Sequence, residues 1–375
     1  MKINDFKLEK YFEKYELTTP YPLTQSDCES MTTKELLAME PGSEEGLLNL
    51  WLGYGEIWGD PELRDVIANS YKDMIADNVL VIHGAQEGIF AYMNVMLDPG
   101  DHMVVMYPNY QSTYEVANTI PGCEFSKWYV RDDGEKWTVD FDELESLIKP
   151  NTKIIAVCSP HNPTGYTFTN NEIDKLCDIC RKHDLYLFCD EVYKGLEHDG
   201  EKRDSVADHY KKALVVNVTS KAYGLGGLRV GWLVSKDKEI LKKLVKFKQY
   251  MSICDSVPSE YLTKIAIRNR TVIHEKSRKL IEKNMLIADA FFDRHSNLFE
   301  KKSINAGPIA FHKLLSDMPV EEFCQLAVDK KGVMLLPSSI YDMDYQYFRM
   351  SYGRKNFEEN LKKFEEFLYE EGFAE

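Results

Sequence analysis

A single lysine, Lys221, stands two positions past the apolar run ALVVNVT (213–219), after Ser220, and a single arginine, Arg229, stands eight positions on, across the glycine-rich stretch YGLGGLRVG. A lysine held partly out of water at a strand exit has a depressed pKa and attacks carbonyl carbons. Arg229 reaches back across the turn to hold a dianion beside it. Two nucleotide readings fail. A Walker loop needs its lysine after the glycines, and a dinucleotide fingerprint needs a helix where this stretch runs into a further strand, VGWLVS. Asp190 ends another apolar run, LYLFCD, as Lys221 does its own. A poorly solvated carboxylate there needs either a structural arginine or a cationic ligand, and Tyr193, three residues on, addresses the same space.

Three more strand exits carry residues of interest. HGAQEGIF opens a helix with Gly84, Ala85 and Gln86, whose backbone N–H groups form an anion site unless the glycine serves the turn alone. YPNY places Tyr110 at the sheet rim, where it stacks on a flat ligand or caps the core. PHNPTG fixes the Asn162 amide in a rigid turn, as a donor and acceptor or merely as a chain reversal.

The elements that must position these residues are short apolar strands, NVLVI (78–82), HMVVM (102–106), 153–159, 185–190 and 213–219, with helical segments between them at 86–97, 111–118 and 171–183. Such alternation implies a largely parallel α/β sheet covered on both faces, with function at the carboxyl ends of its strands. After about residue 258 the pattern changes to a long helical stretch (259–294), the segments GPIAFHKL, KGVMLLP and YFRMSYG, and a last helix (356–370). This predicts three parts: an N-terminal arm at 1–45 that is part of a small domain, a large ligand-binding domain at 46–265, and a small α+β domain at 266–375.

One ligand explains the set of strand-end residues. It has a basic ring nitrogen for Asp190, a phenolic oxygen for Asn162 and Tyr193, and an aldehyde for Lys221. Its phosphate would lie among Gly84, Ala85, Gln86, Ser220 and Arg229, with Tyr110 over the ring. That ligand is pyridoxal 5′-phosphate. From YGEIWGDPELRDVIA through HGAQEGIF, LDPGDHMVVMYPNY, HNPTG, DEVY and SKAYGLGGLRVGW to FRMSYG, the chain resembles the class I/II aminotransferases, the fold-type I pyridoxal-phosphate enzymes.

The resemblance implies a large domain with a mostly parallel seven-stranded sheet covered by helices, and a smaller α+β C-terminal domain. It implies Lys221 as the Schiff-base lysine and proton-shuttling base, Asp190 as the ring-nitrogen partner, and Asn162 and Tyr193 on the phenolic oxygen. Arg349, with Asn162, would hold the substrate carboxylate. Tyr54 would reach the phosphate in a neighbouring subunit, which implies a homodimer with shared sites. The implied activity moves an amino group between an α-amino acid and a 2-oxo acid by a ping-pong route. A C–S or β-elimination lyase, a cyclising or oxidising synthase, or a decarboxylase shares the same cofactor residues. Two departures stand out. Val218 occupies a position, three before the lysine, where many relatives carry a phosphate-binding Ser or Thr. The block LLPSSIYDMDYQYFRMSYG is also shorter and more aromatic than usual.

Bulk properties narrow the classes further. The 375 residues carry a formal charge of −15, which disfavours a nucleic-acid partner. The eight cysteines lie singly apart from Cys177 and Cys180, which read as neighbouring positions on a helix rather than a metal or redox pair. No apolar stretch is long enough for a membrane span, the N-terminus has no secretory pattern, and a cytoplasmic location is expected.

Overall fold

The computed structural model describes residues 2–134 and 136–374. Its centre is a seven-stranded sheet. The strands are β1 (Val79–Ile82), β2 (His102–Tyr107), β3 (Glu124–Tyr129), β4 (Thr152–Cys158), β5 (Tyr186–Asp190), β6 (Ala213–Val218) and β7 (Gly231–Val234). They lie in the order β1-β7-β6-β5-β4-β2-β3, and β7 alone runs antiparallel, to both of its neighbours. The fold is therefore α/β with a mostly parallel sheet, as expected. Every residue of β1, β2, β6 and β7 is buried, which is why these runs are apolar on both faces instead of alternating, His102 and Asn217 apart.

Helices cover the sheet. After the N-terminal helix α1 (Lys7–Tyr15) come α2 (Ala85–Met96), which follows β1, and α3 (Ser112–Thr119), which follows β2. Then α4 (Asn170–Lys182) starts on a capping box between Thr169 and Glu172 and buries Ile173, Leu176, Cys177 and Cys180. Those four positions form one apolar stripe, so both cysteines are core residues and all eight thiols are free.

The helical stretch expected over 259–294 is two helices, α5 (Val257–Arg268) and α6 (Arg270–Arg294), parted at Asn269. Beyond them a four-stranded sheet contains β8 (Phe299–Glu300), β9 (Ile309–Leu314), β10 (Leu336–Pro337) and β11 (Tyr347–Ser351), in the order β8-β9-β11-β10. The last helix is α7 (Phe357–Glu370). The N-terminal segment joins this end of the chain, since Tyr21–Pro22 pairs in parallel with Val333–Met334. Helix α1 is tied on both sides: Tyr11 donates to the Leu335 carbonyl at 2.7 Å, and the Lys7 backbone N–H donates to Gln111 at 2.9 Å. It thereby roofs the carboxyl ends of the central strands.

Candidate active site

A cavity of about 360 Å³ opens at those strand ends and brings together Lys221, Asp190, Asn162, Tyr193, Tyr110 and Arg229. Ala85, Gln86, Ser220 and Val218 also line it. Nine of the eleven cofactor positions named from the sequence thus face one space. Of the other two, Gly84 lies just behind it and Tyr54 lies elsewhere.

Lys221 is placed by a turn rather than by a regular element. The Thr219 N–H and hydroxyl each reach the Val230 carbonyl at 3.0 Å, folding the chain back on β7 immediately before the lysine. Gly224, at φ +66°, permits the next crossing, because a Cβ there would stand 2.4 Å from the Glu29 carbonyl oxygen. The N-terminal segment can therefore lie on the lysine turn, and Cys28 N–H donates to the Lys221 carbonyl at 3.2 Å. The Lys221 Nζ donates to Ser26 Oγ at 2.7 Å. Burial lowers the pKa of this amine, and Arg349 adds to the effect while Asp27 and Asp190 oppose it.

Asp190 ends β5 and is buried, and among the described residues its carboxylate has one hydrogen bond, accepted by Oδ1 from the Val192 N–H at 3.1 Å. Desolvation raises its pKa from 3.8 to about 6, against the pull of that N–H and of Lys221. A carboxylate so poor in partners, facing a cavity, suits a cationic N–H donor. Asn162 is constrained from behind: its Oδ1 accepts from Tyr341 Oη at 2.9 Å and from Arg349 Nη1 at 3.1 Å. With the carbonyl taken, its amide NH₂ is the end available to a phenolic oxygen. Tyr193 is buried on the same wall and Tyr110 lies across the cavity, its hydroxyl donating to Glu9 at 2.8 Å.

The anion end is built from α2 and Arg229. The α2 N-cap is Gly84, so no side chain caps the first N–H groups of this 12-residue helix. Gly84 has φ +81°, and a Cβ on it would stand 2.7 Å from Arg229 Nη2. Arg229 itself is left-handed at φ 54°. These groups fit a phosphate. Val218 does not contribute a hydroxyl: it is buried with Val192, Tyr193 and Ile309 in a small apolar cluster. Ser220 is the serine that faces the cavity on this turn.

Arg349 lies on β11, wholly buried, and is not a wall of the cavity. It donates to Asn162, to Tyr341 Oη at 2.7 Å and to the Thr24 carbonyl at 2.7 Å, while its Nε has no hydrogen-bond partner among the described residues. Tyr54 is 86 % exposed and lines a different hollow, with Gly53, Gly55, His83 and Asp255. One subunit therefore does not bring Tyr54 to Lys221.

Sequence reasoning missed the roof and the back wall. Leu8, Glu9, Phe12 and Glu16 from the α1 region, and Gln25, Ser26 and Asp27 from the segment after it, all line the cavity. So does Arg354, whose Nη2 bonds both Asp27 oxygens at 2.8 Å. Tyr341, from the aromatic-rich block, fills the space between Asn162 and Arg349. The one available signal for the roof was the apolar face of KLEKYFEKY, which buries Leu8 and Tyr15.

The family model for aminotransferase class I and II matches residues 22–364. An aspartate aminotransferase of Sulfurisphaera tokodaii is 25% identical over 84% of this chain and 82% of its own. A capreomycidine synthase of Streptomyces vinaceus is 24% identical over 90% of this chain and 86% of its own. The crystal structure of a PLP-dependent aminotransferase from Streptococcus suis superposes with a TM-score of 0.92 at 26% identity, covering 99% of both chains.

Proposed function

The chain belongs to the class I and II aminotransferase family, and from that premise we propose that it moves an amino group from an α-amino acid to a 2-oxo acid at Lys221. Enzymes of this family use pyridoxal 5′-phosphate, and the strand-end residues fit that group. When bound, the cofactor supplies an aldehyde carbon and an electron-withdrawing ring that drains charge from the amino acid's α-carbon. The observation that carries the reading is the convergence of Lys221 and Arg229 from one strand exit, and of Asp190 and Asn162 from two others, on one cavity.

The chain's own residues divide the work. Lys221, with its lowered pKa, would serve as the base that takes the α-proton and hands it to the carbon that the cofactor would supply. Ser26 holds that amine in place. Asp190 keeps a proton on the ring nitrogen, since a buried carboxylate with one partner favours a cationic N–H. Asn162 and Tyr193 fix the phenolic oxygen, Tyr110 covers the ring, and Gly84, Ala85, Gln86, Ser220 and Arg229 hold the phosphate. Arg349, with an unmet Nε donor, anchors the α-carboxylate together with Asn162.

Tyr54 acts in the second subunit of a homodimer, a reading supported by its exposure in a hollow separate from the cavity that holds the chain's own lysine. The strand pairing of residues 21–22 with 333–334 supports counting the N-terminal arm with a small domain at 266–375.

Another reaction at the same α-carbon is kept open by one observation, the synthase among the relatives. Product analysis separates the two. Incubating the holoenzyme with amino acids and no acceptor should yield a stoichiometric 2-oxo acid and pyridoxamine phosphate. Catalytic ammonia and pyruvate, or an amino acid product with its nitrogen retained, would reject amino transfer. Among the described residues no helix is long and apolar enough to cross a membrane.

A further inference from the structure

Lys248 stands on the apolar face of its own helix. In the helix Lys238–Lys248, Ile240, Leu241, Leu244 and Val245 form the buried stripe, and Lys248 falls on the same stripe one turn beyond Leu244. Lys238, Lys242, Lys243 and Lys246 are exposed, as lysines on a helix ordinarily are. The side chains of Lys248 and its partner Asp255 are each 1 % exposed. A buried ammonium persists only with its donors met, and here the three N–H bonds go to three different segments. One is donated to the Ile57 carbonyl at 2.8 Å, one to the Val81 carbonyl at 2.8 Å, and one to Asp255 Oδ2.

We infer that Lys248 is a positioning residue for the cofactor's phosphate, fixing the α2 terminus of its own subunit against the loop that offers Tyr54 to the other. This rests on the reading of Gly84, Arg229 and Tyr54 as phosphate partners. Val81 lies three residues before Gly84, and Ile57 lies three residues after Tyr54. The loop lies directly on the strand: the Val81 N–H donates to the Trp58 carbonyl at 3.0 Å, and a Cβ on Gly59 would stand 2.3 Å from Val81 Cγ2. Asp255 extends the brace toward the phosphate. Its Oδ1 stands 2.9 Å from His83 Nδ1, and the His83 N–H donates to Glu87 in the first turn of α2. Lys248, Asp255, His83 and Glu87 thus form one line of polar contacts to the start of that helix.

The backbone at Lys248 fastens the same place. Its carbonyl accepts from the N–H groups of Met251, Ser252 and Ile253 at 2.9, 3.0 and 3.1 Å, so the loop leading to Asp255 is wound round the lysine. Tyr54, His83, Ser252 and Asp255 then line one hollow. Neither the Tyr54 loop nor the end of β1 can shift without stranding an N–H of a buried ammonium, which costs far more than a surface hydrogen bond returns. Lys248 lines neither that hollow nor the Lys221 cavity, so it acts through the segments it holds.

The test compares pyridoxal 5′-phosphate with pyridoxal, which has the same ring and aldehyde but no phosphate, on the full-length chain stripped of cofactor. Dissociation constants are read from cofactor absorbance, and in the parent the phosphate form should bind far more tightly. Lys248→Met should raise the constant for pyridoxal 5′-phosphate about tenfold or more and leave that for pyridoxal within about twofold. If Lys248→Met, which leaves the Asp255 carboxylate buried alone, fails to fold, the Lys248→Met, Asp255→Asn double variant removes both charges and should show the same split. Tyr54→Phe should weaken the phosphate form in the parent but add little to the loss in the lysine variant, where the loop is already released. Equal weakening of both forms, an unchanged constant for the phosphate form, or a full Tyr54→Phe effect in the lysine variant overturns the inference and leaves the phosphate site standing. A parent that binds the two forms equally overturns the phosphate reading itself.

Discussion

Asp190 has a measurable consequence for the cofactor-free chain. Its carboxyl has a pKa of about 6 against 3.8 in the ordinary range, so between those values the folded chain holds a proton that the unfolded chain has released. The group therefore lowers stability as pH rises from about 4 to about 6, and the full penalty persists above that window. Asp190→Asn removes the charge in the same shape. At pH 7 the cofactor-free variant should exceed the parent in urea unfolding free energy by about 2–3 kcal/mol, and at pH 3.5 the gap should close. The same substitution should cut turnover roughly 100-fold or more, because it removes a preorganised charge from the ring nitrogen. An unchanged stability at pH 7 would show that Asp190 is not desolvated as described. This residue and Lys221 were legible in the sequence because each ends an apolar run, a pattern that marks both a strand and its exit. Ser26, Glu16 and Tyr341 were not, because they sit in polar or irregular segments. Only the fold, with Gly224 permitting the crossing at Glu29, brings Ser26 to the lysine.

At the scale of elements, the join between β1 and α2 is the point most exposed to test. Gly84→Ala places a side chain at φ +81° and 2.7 Å from Arg229 Nη2. That positive φ is paired with an extended ψ of 164°, a combination essentially confined to glycine, so the side chain should cost about 1–3 kcal/mol of stability. The arginine must also move, so the dissociation constant for pyridoxal 5′-phosphate should rise about tenfold or more by equilibrium dialysis, given the strength of charge-assisted bonds to phosphate. Unaltered cofactor affinity would remove the α2 terminus and Arg229 from the phosphate site.

The sequence pattern located six of the seven central strands, all of them continuous apolar runs. It missed β3, an edge strand whose residues are mostly half-buried and which carries Glu124 and Lys127. Its single neighbour is β2, so one flank needs no apolar partner and the signal is diluted. The break at Asn269 was hidden for a different reason. The apolar spacing carries on through both helices, and no glycine or proline stands between 259 and 294 to mark a stop.

At the scale of the whole molecule, Trp51, Leu52, Tyr54 and Tyr250 are 75 %, 76 %, 86 % and 94 % exposed. Leu52 and Tyr54 share a hollow with Ile253 and Val257, next to His83 and hence to Gly84. Large apolar side chains left in water in such a group mark an interface, and the proposed homodimer would cover them. Sedimentation should give a dimer at micromolar concentration, and Trp51→Glu combined with Tyr250→Glu should give a monomer with weakened cofactor affinity. A parent chain that sediments as a monomer with full activity would reject the shared site. Nothing about this surface was visible in composition alone, since scattered exposed aromatics read as core residues until the fold places them outside.

The most direct measurement is peptide mass spectrometry of the holoenzyme after borohydride reduction, with and without prior exposure to an amino acid donor. The cofactor's mass should be found on the peptide carrying Lys221, at about one equivalent per chain, and should be absent from that peptide when the donor is added first. Cofactor fixed to another lysine, or retained on Lys221 after every donor, would contradict amino transfer at this site.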